Sequence, residues 1–169
     1  MHYLGERNMS RYVSCRVMIH LLTTALIGFG ITCGGDNGQE AELQVLPIIQ
    51  GSIEVLPGAS MTYDFEVSEA MLKVPLPAPE LYLRYTVNQP PSPYDGVDLY
   101  VFDDYQHAAY LRDGQVGEPV YGAIGLSTVD RWFELTSSGR YHVVFFALND
   151  TTAAREITAD IKLSYWYYK

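Results

Sequence analysis

The chain has 169 residues, 48% of them apolar and 18% charged, with a formal net charge of −9. That length holds one domain with a real core and is short for two. A surface this acidic repels phosphate backbones and anionic lipid headgroups, which argues against nucleic acid as a partner.

The N-terminal region is the one place where positive charge leads, with Arg7, Arg11 and Arg16 against a single Glu6. An apolar run, VMIHLLTTALIGFGIT, occupies residues 17–32 behind them. This is the order of a secretory signal peptide, and the run is short of the ~20 apolar residues that a spanning helix needs. Cys33 follows at once, and then GGDNGQEAE, too polar and glycine-rich to build a core. Removal of residues 1–32 leaves 8 basic and 19 acidic side chains, a net of −11.

The arrangement of arginines, apolar run and Cys33 resembles a bacterial lipoprotein precursor. The resemblance implies cleavage before Cys33, lipid attachment there, and a cell-envelope protein anchored in the outer membrane. The chain departs from the usual lipobox, with Gly30, Ile31 and Thr32 where Leu stands third before the cysteine and Gly or Ala immediately before it. Cleavage after Gly30, giving a soluble periplasmic or secreted protein, and a retained anchor helix are the alternatives. Cysteine usage favours the lipid. Cys15 lies ahead of the apolar run, Cys33 ends it, and no cysteine follows, so the folded part has neither disulfide nor thiol chemistry. The predicted organisation is a signal peptide over 1–32, a flexible tether over 33–47, and one domain over 48–169.

Beyond residue 48 the pattern is β throughout. MTYDFEV places Met61, Tyr63, Phe65 and Val67 on one side and Thr62, Asp64 and Glu66 on the other. LYLRYTV does the same with Leu81, Leu83, Tyr85 and Val87, and ITADIKL with Ile157, Ala159, Ile161 and Leu163. Period-2 alternation is the mark of strands with one buried face. VDLYVFD and YHVVFFAL are apolar on both faces, as expected of central strands or of strands whose second face is covered. Turn residues separate eight runs, near 50–56, 60–68, 80–88, 97–103, 119–126, 130–136, 140–148 and 156–167. Residues 105–112 fit a helical turn or a ninth strand. Eight short strands without a useful helical period predict an all-β antiparallel sandwich of the jelly-roll kind.

VDLYVFDDYQHAAYLRDG, then WFELTSSGRYHVVFF, then ITADIKLSYWYY give a rhythm that resembles the GOLD or emp24-type β-sandwich, and also the bacterial pre-peptidase C-terminal domain. The departures from the emp24 pattern are the absence of domain cysteines, of a following coiled coil and of a C-terminal span. The resemblance implies a non-enzymatic domain used for protein or glycan contacts.

The residues agree with a binding role. The domain carries His107 and His142 alone among histidines, and it lacks G-x-S-x-G, H-E-x-x-H and P-loop signatures. His142 lies inside an apolar strand, where a structural role outweighs that of a base. Asp95 and Asp98 flank a glycine turn and form a weak calcium candidate, against the commoner reading as turn formers; no metal and no cofactor are expected. The chain has 14 Tyr. Most serve the sandwich, and loop tyrosines are left as contact residues. The candidate interaction set flanking the DLYVF strand is therefore Tyr94, Asp95, Asp98, Tyr105, His107 and Tyr110. Its expected partner is an envelope protein or a glycan, with the membrane reached through Cys33.

Overall fold

The computed structural model describes residues 16–17, 31–34, 40–73, 77–88, 96–147 and 154–168. It divides into two compact units, residues 1–43 with 168–169, and residues 44–167. In the first, strands β1 (Arg16–Val17) and β2 (Ile31–Gly34) pair antiparallel, and β2 pairs with the start of β3 (Glu40–Val55) through Thr32↔Glu42 and Cys33↔Ala41. Strand backbone thus enters the stretch read as tether. Among the described residues no helix is long and apolar enough to cross a membrane.

The second unit holds the core. After β3 come β4 (Ser60–Val67), a one-turn helix α1 (Glu69–Leu72), β5 (Glu80–Val87), β6 (Val97–Asp103), helix α2 (Asp104–Asp113), β7 (Tyr121–Leu126), β8 (Thr128–Glu134), β9 (Gly139–Phe146) and β10 (Arg155–Tyr168). The order within one sheet is β3-β10-β5-β8, and within the other β4-β9-β6-β7. Counted from β3, the first strand neighbours the eighth, third and sixth in turn, and the second neighbours the seventh, fourth and fifth. That is the double Greek key of a jelly roll. All eight predicted runs are strands.

Alternation decides what each sheet turns inward. Leu81, Leu83, Tyr85 and Val87 of β5, with Ile157, Ala159, Ile161 and Leu163 of β10, are buried against Phe65, Val67, Val97, Leu99, Val101, Tyr141, Val143 and Phe145 of the facing sheet. Met61, at the open end of β4, stays exposed. Tyr85 crosses the interior. Its hydroxyl lies 3.2 Å from the Val97 carbonyl and 2.9 Å from that of Leu126, and its ring meets Phe145 edge-on at 5.5 Å. A buried phenol thereby keeps its hydrogen bond, and burial pushes its ionisation well above the usual range. Tyr141, near the start of β9, donates to the Ser137 carbonyl at 2.8 Å and pins the corner before that strand, much as a tyrosine corner does.

The expectation that VDLYVFD and YHVVFFAL are central holds for β6 and β9, and the cover on their second face is α2. Tyr100, Phe102 and Val144 form a small buried cluster there, with Tyr110 of α2 packed on it. Residues 105–112, left between helical turn and strand by the sequence, belong to that ten-residue helix. Asp103 caps it, accepting from the Gln106 amide at 2.7 Å while the Gln106 side chain accepts from the Asp103 amide at 3.1 Å. Gly114 ends it in the left-handed conformation at φ 65°.

Candidate functional site

The predicted contact residues do not form one loop cluster. Tyr94 and Asp95 lie outside the described residues. Asp98 is a strand residue, buried to 5% exposure: its Oδ1 accepts the Gly125 amide at 2.7 Å and its Oδ2 accepts the Tyr100 hydroxyl at 3.1 Å. Both carboxylate oxygens are engaged inside the fold, which corrects the reading of Asp98 as a loop or calcium-binding residue. Burial, and then the adjacent Asp98 charge, push the Tyr100 hydroxyl up to about 12. Among the described residues no group of three or more His, Cys, Asp and Glu is arranged to hold a metal ion.

Tyr105, His107 and Tyr110 all belong to α2 rather than to a loop, and the helix separates them. Tyr105, in the first turn, is 84% exposed. Tyr110 stacks on Phe102 at 5.4 Å, and burial raises its hydroxyl. His107 turns toward the sheet and lies flat on His142, ring centroids 3.9 Å apart and planes 25° apart. Of the three, Tyr105 is the exposed ring, and His107 and Tyr110 are half-buried.

Around His142 the sheet register assembles a polar cluster. Asp64 of β4 is directly opposite His142 of β9, which is directly opposite Phe102 of β6. His142 Nδ1 is 2.8 Å from Asp64 Oδ1, and Nε2 is 2.8 Å from Asp104 Oδ1 at the start of α2. The imidazole is buried at 7% exposure, whereas both carboxylates reach solvent. His142 is thus a satisfied structural histidine, as the sequence indicated. The sequence does not connect Asp64 or Asp104 with His142, because nothing local links positions 64, 104 and 142.

A cleft of about 300 Å³ opens beside the first turn of α2, between Asp103–Tyr105 and the β8–β9 connection from Glu134 to Tyr141. Asp104 and Glu134 bring negative charge to its wall, Arg140 brings positive charge, and Tyr105 stands at its edge. Asp103, also in the wall, is committed to capping the helix.

On the outer face of the other sheet, Trp132 of β8, Tyr82 of β5 and Lys162 of β10 are in register. Trp132 is 66% exposed, and Lys162 Nζ lies 4.8 Å from the centre of the Tyr82 ring. Nothing in the sequence points to this row beyond the outward parity of its members.

The fold defines a class, an all-β antiparallel sandwich of jelly-roll order with one helix on an outer face. No protein-family model and no curated protein matches the chain. Among solved structures it is similar to Aeromonas hydrophila PliG, a periplasmic lysozyme inhibitor of g-type lysozyme, with 11% sequence identity and a TM-score of 0.35 over 80% of this chain and 91% of that one.

Proposed function

We propose that this chain is a non-enzymatic, lipid-anchored cell-envelope protein whose sandwich binds another envelope protein. The observation that carries the binding surface is Tyr105, a large ring 84% exposed on a capped helical turn at the edge of a cleft. An aromatic anchor beside a concavity is the usual composition of an interface hot spot. Asp104 and Glu134 beside it, on a chain of net charge −9, favour a basic segment of the partner. The lipid rests on Cys33 at the end of the apolar run. His142 supports the non-enzymatic reading, since both its ring nitrogens are engaged by carboxylates and the ring is buried.

Envelope extract passed over the immobilised protein tests this. Tyr105→Ala should lose the partner that the parent retains, and raised salt should weaken its capture. Equal capture by both proteins would remove the cleft from consideration. The exposed Trp132 and its neighbour Tyr82 favour a second reading, stacking on a glycan. In that case Trp132→Ala, and not Tyr105→Ala, should abolish retardation in glycan-containing gels.

A further inference from the structure

Outward parity on β8, β5 and β10 builds a platform on the sheet other than the one α2 packs against. Strand register sets Trp132, Tyr82 and Lys162 side by side. Two residues away along the strands, in one direction, lie Glu134, Glu80 and Ser164, and in the other Asp130, Arg84 and Asp160. Thr128, Thr86 and Thr158 make a fourth row beyond these last. Neighbours within a row stand about 5 Å apart, and successive rows roughly 7 Å apart.

The aromatic row breaks the polar pattern of this face. Trp132 is 66% exposed, between Asp130 and Glu134 on its own strand. Tyr82 beside it is half-buried, with Lys162 Nζ 4.8 Å from its ring centre. An apolar strip one ring wide, bordered on each side by carboxylates and hydroxyls, is too narrow for the apolar centre of a protein interface. It matches a sugar ring, which offers a C–H face for stacking and hydroxyls around its rim.

The charges on the platform choose among sugars. Lys162 Nζ is 3.2 Å from Asp160 Oδ2, and Arg84 Nε is 3.7 Å from Asp130 Oδ2, so both cations of the four rows are already engaged. Glu80 and Glu134 are directly opposite each other, and neither has an ion-pair partner among the described residues. An acidic glycan would meet these carboxylates with no free cation in the four rows to answer it. An uncharged one brings hydroxyls, which donate to carboxylates and exchange hydrogen bonds with threonines.

We propose that this face binds an uncharged polysaccharide, a sugar ring seated on Trp132 beside Tyr82 and its hydroxyls received by Glu80 and Glu134. This rests on the glycan reading above and is independent of the cleft at Tyr105.

Native electrophoresis of the full chain through gels containing hydroxyethylcellulose, galactomannan or arabinoxylan, and through gels containing polygalacturonate, tests both levels. At least one uncharged polysaccharide should retard the parent, and polygalacturonate should not. Trp132→Ala should abolish the retardation, and Tyr82→Ala or Glu80→Ala should weaken it roughly fivefold to tenfold, with the β-sheet circular dichroism unchanged. Lys162→Gln, or raised salt, should leave it within about twofold, since no ion pair forms with the ligand. Retardation by polygalacturonate that is lost in Trp132→Ala would overturn the uncharged class and leave the stacking platform standing. Retardation in none of the gels, or a Trp132→Ala variant retarded like the parent, would overturn both.

Discussion

The Asp98 carboxylate accepts the Gly125 amide at 2.7 Å, tying the central strand β6 to its edge neighbour β7 where their register slips between Val97 and Leu99. Gly125 is in the left-handed conformation there, at φ 63°, so its N–H turns to a side chain instead of the regular ladder. The same carboxylate accepts the Tyr100 hydroxyl. Asp98→Ala should cost about 1 to 3 kcal/mol in urea unfolding, because it strands a buried amide and a buried hydroxyl at once. Asp98→Asn, which can still accept, should cost less. Calcium should not change the midpoint of either variant or of the parent.

Ile161 and Lys162 are adjacent on β10 and face opposite ways, Ile161 fully buried and Lys162 over the Tyr82 ring. Ile161→Asp places a carboxylate in the core, at a cost of several kcal/mol that rivals the total stability. It should unfold or aggregate. Lys162→Asp should melt within a few degrees of the parent. Equal behaviour in thermal denaturation would mean that the register of β10 against β5 is wrong.

The two α2 tyrosines separate structure from contact. Tyr110→Ala removes a ring stacked on Phe102 and should lower stability by about 1 to 2 kcal/mol, less than for a fully buried aromatic. Tyr105→Ala should leave the melting temperature unchanged within error. A Tyr105→Ala variant as unstable as Tyr110→Ala would place that ring in the core.

Gly96 meets the chain where β7 turns into β8. A side chain at this position would run into the Leu126 carbonyl, with backbone as the obstacle. Gly96→Ala should therefore cost about 1 to 3 kcal/mol, as overpacking does elsewhere. The same change at Gly117, where nothing lies within 4 Å, should be tolerated in the same assay.

The lipid proposal is tested by mass. The mature chain should begin at Cys33 and carry acyl groups, and Cys33→Ala should release the protein from the membrane fraction. A mature chain beginning at Ile31 without lipid would make the protein soluble. In either case a chain starting near residue 44 should fold alone, since every residue of the main core lies at or beyond Ile48.

What could be read from the sequence was what repeats locally. Alternation in ITADIKL and LYLRYTV set the buried faces of β10 and β5 residue by residue, because neighbouring side chains on a strand must point apart. Helix α2 was left ambiguous because it buries no complete apolar stripe, although Asp103 with Gln106 three places on, and Gly114 after the last turn, are a cap at each end. The histidine cluster had no local signature. Asp64 and His142 are 78 positions apart and meet through strand pairing alone. Tyrosine was the hardest residue to sort, since Tyr85, Tyr110 and Tyr105 are interior, half-covered and exposed in turn, and composition treats them alike.

Strand β10, the last of the sandwich in chain order, lies between β3 and β5 rather than at an edge. Until it arrives the first sheet has a gap at its centre, and the inner faces of β3 and β5 have no Ile157, Ile161 or Leu163 beside them. The pairings that complete the sandwich span most of the sequence, so the sandwich should fold slowly for its size and only once β10 is present. A nascent chain of this topology stays open until residues 155–168 have been made. Loss of the last fifteen residues should accordingly abolish the fold altogether rather than trim it.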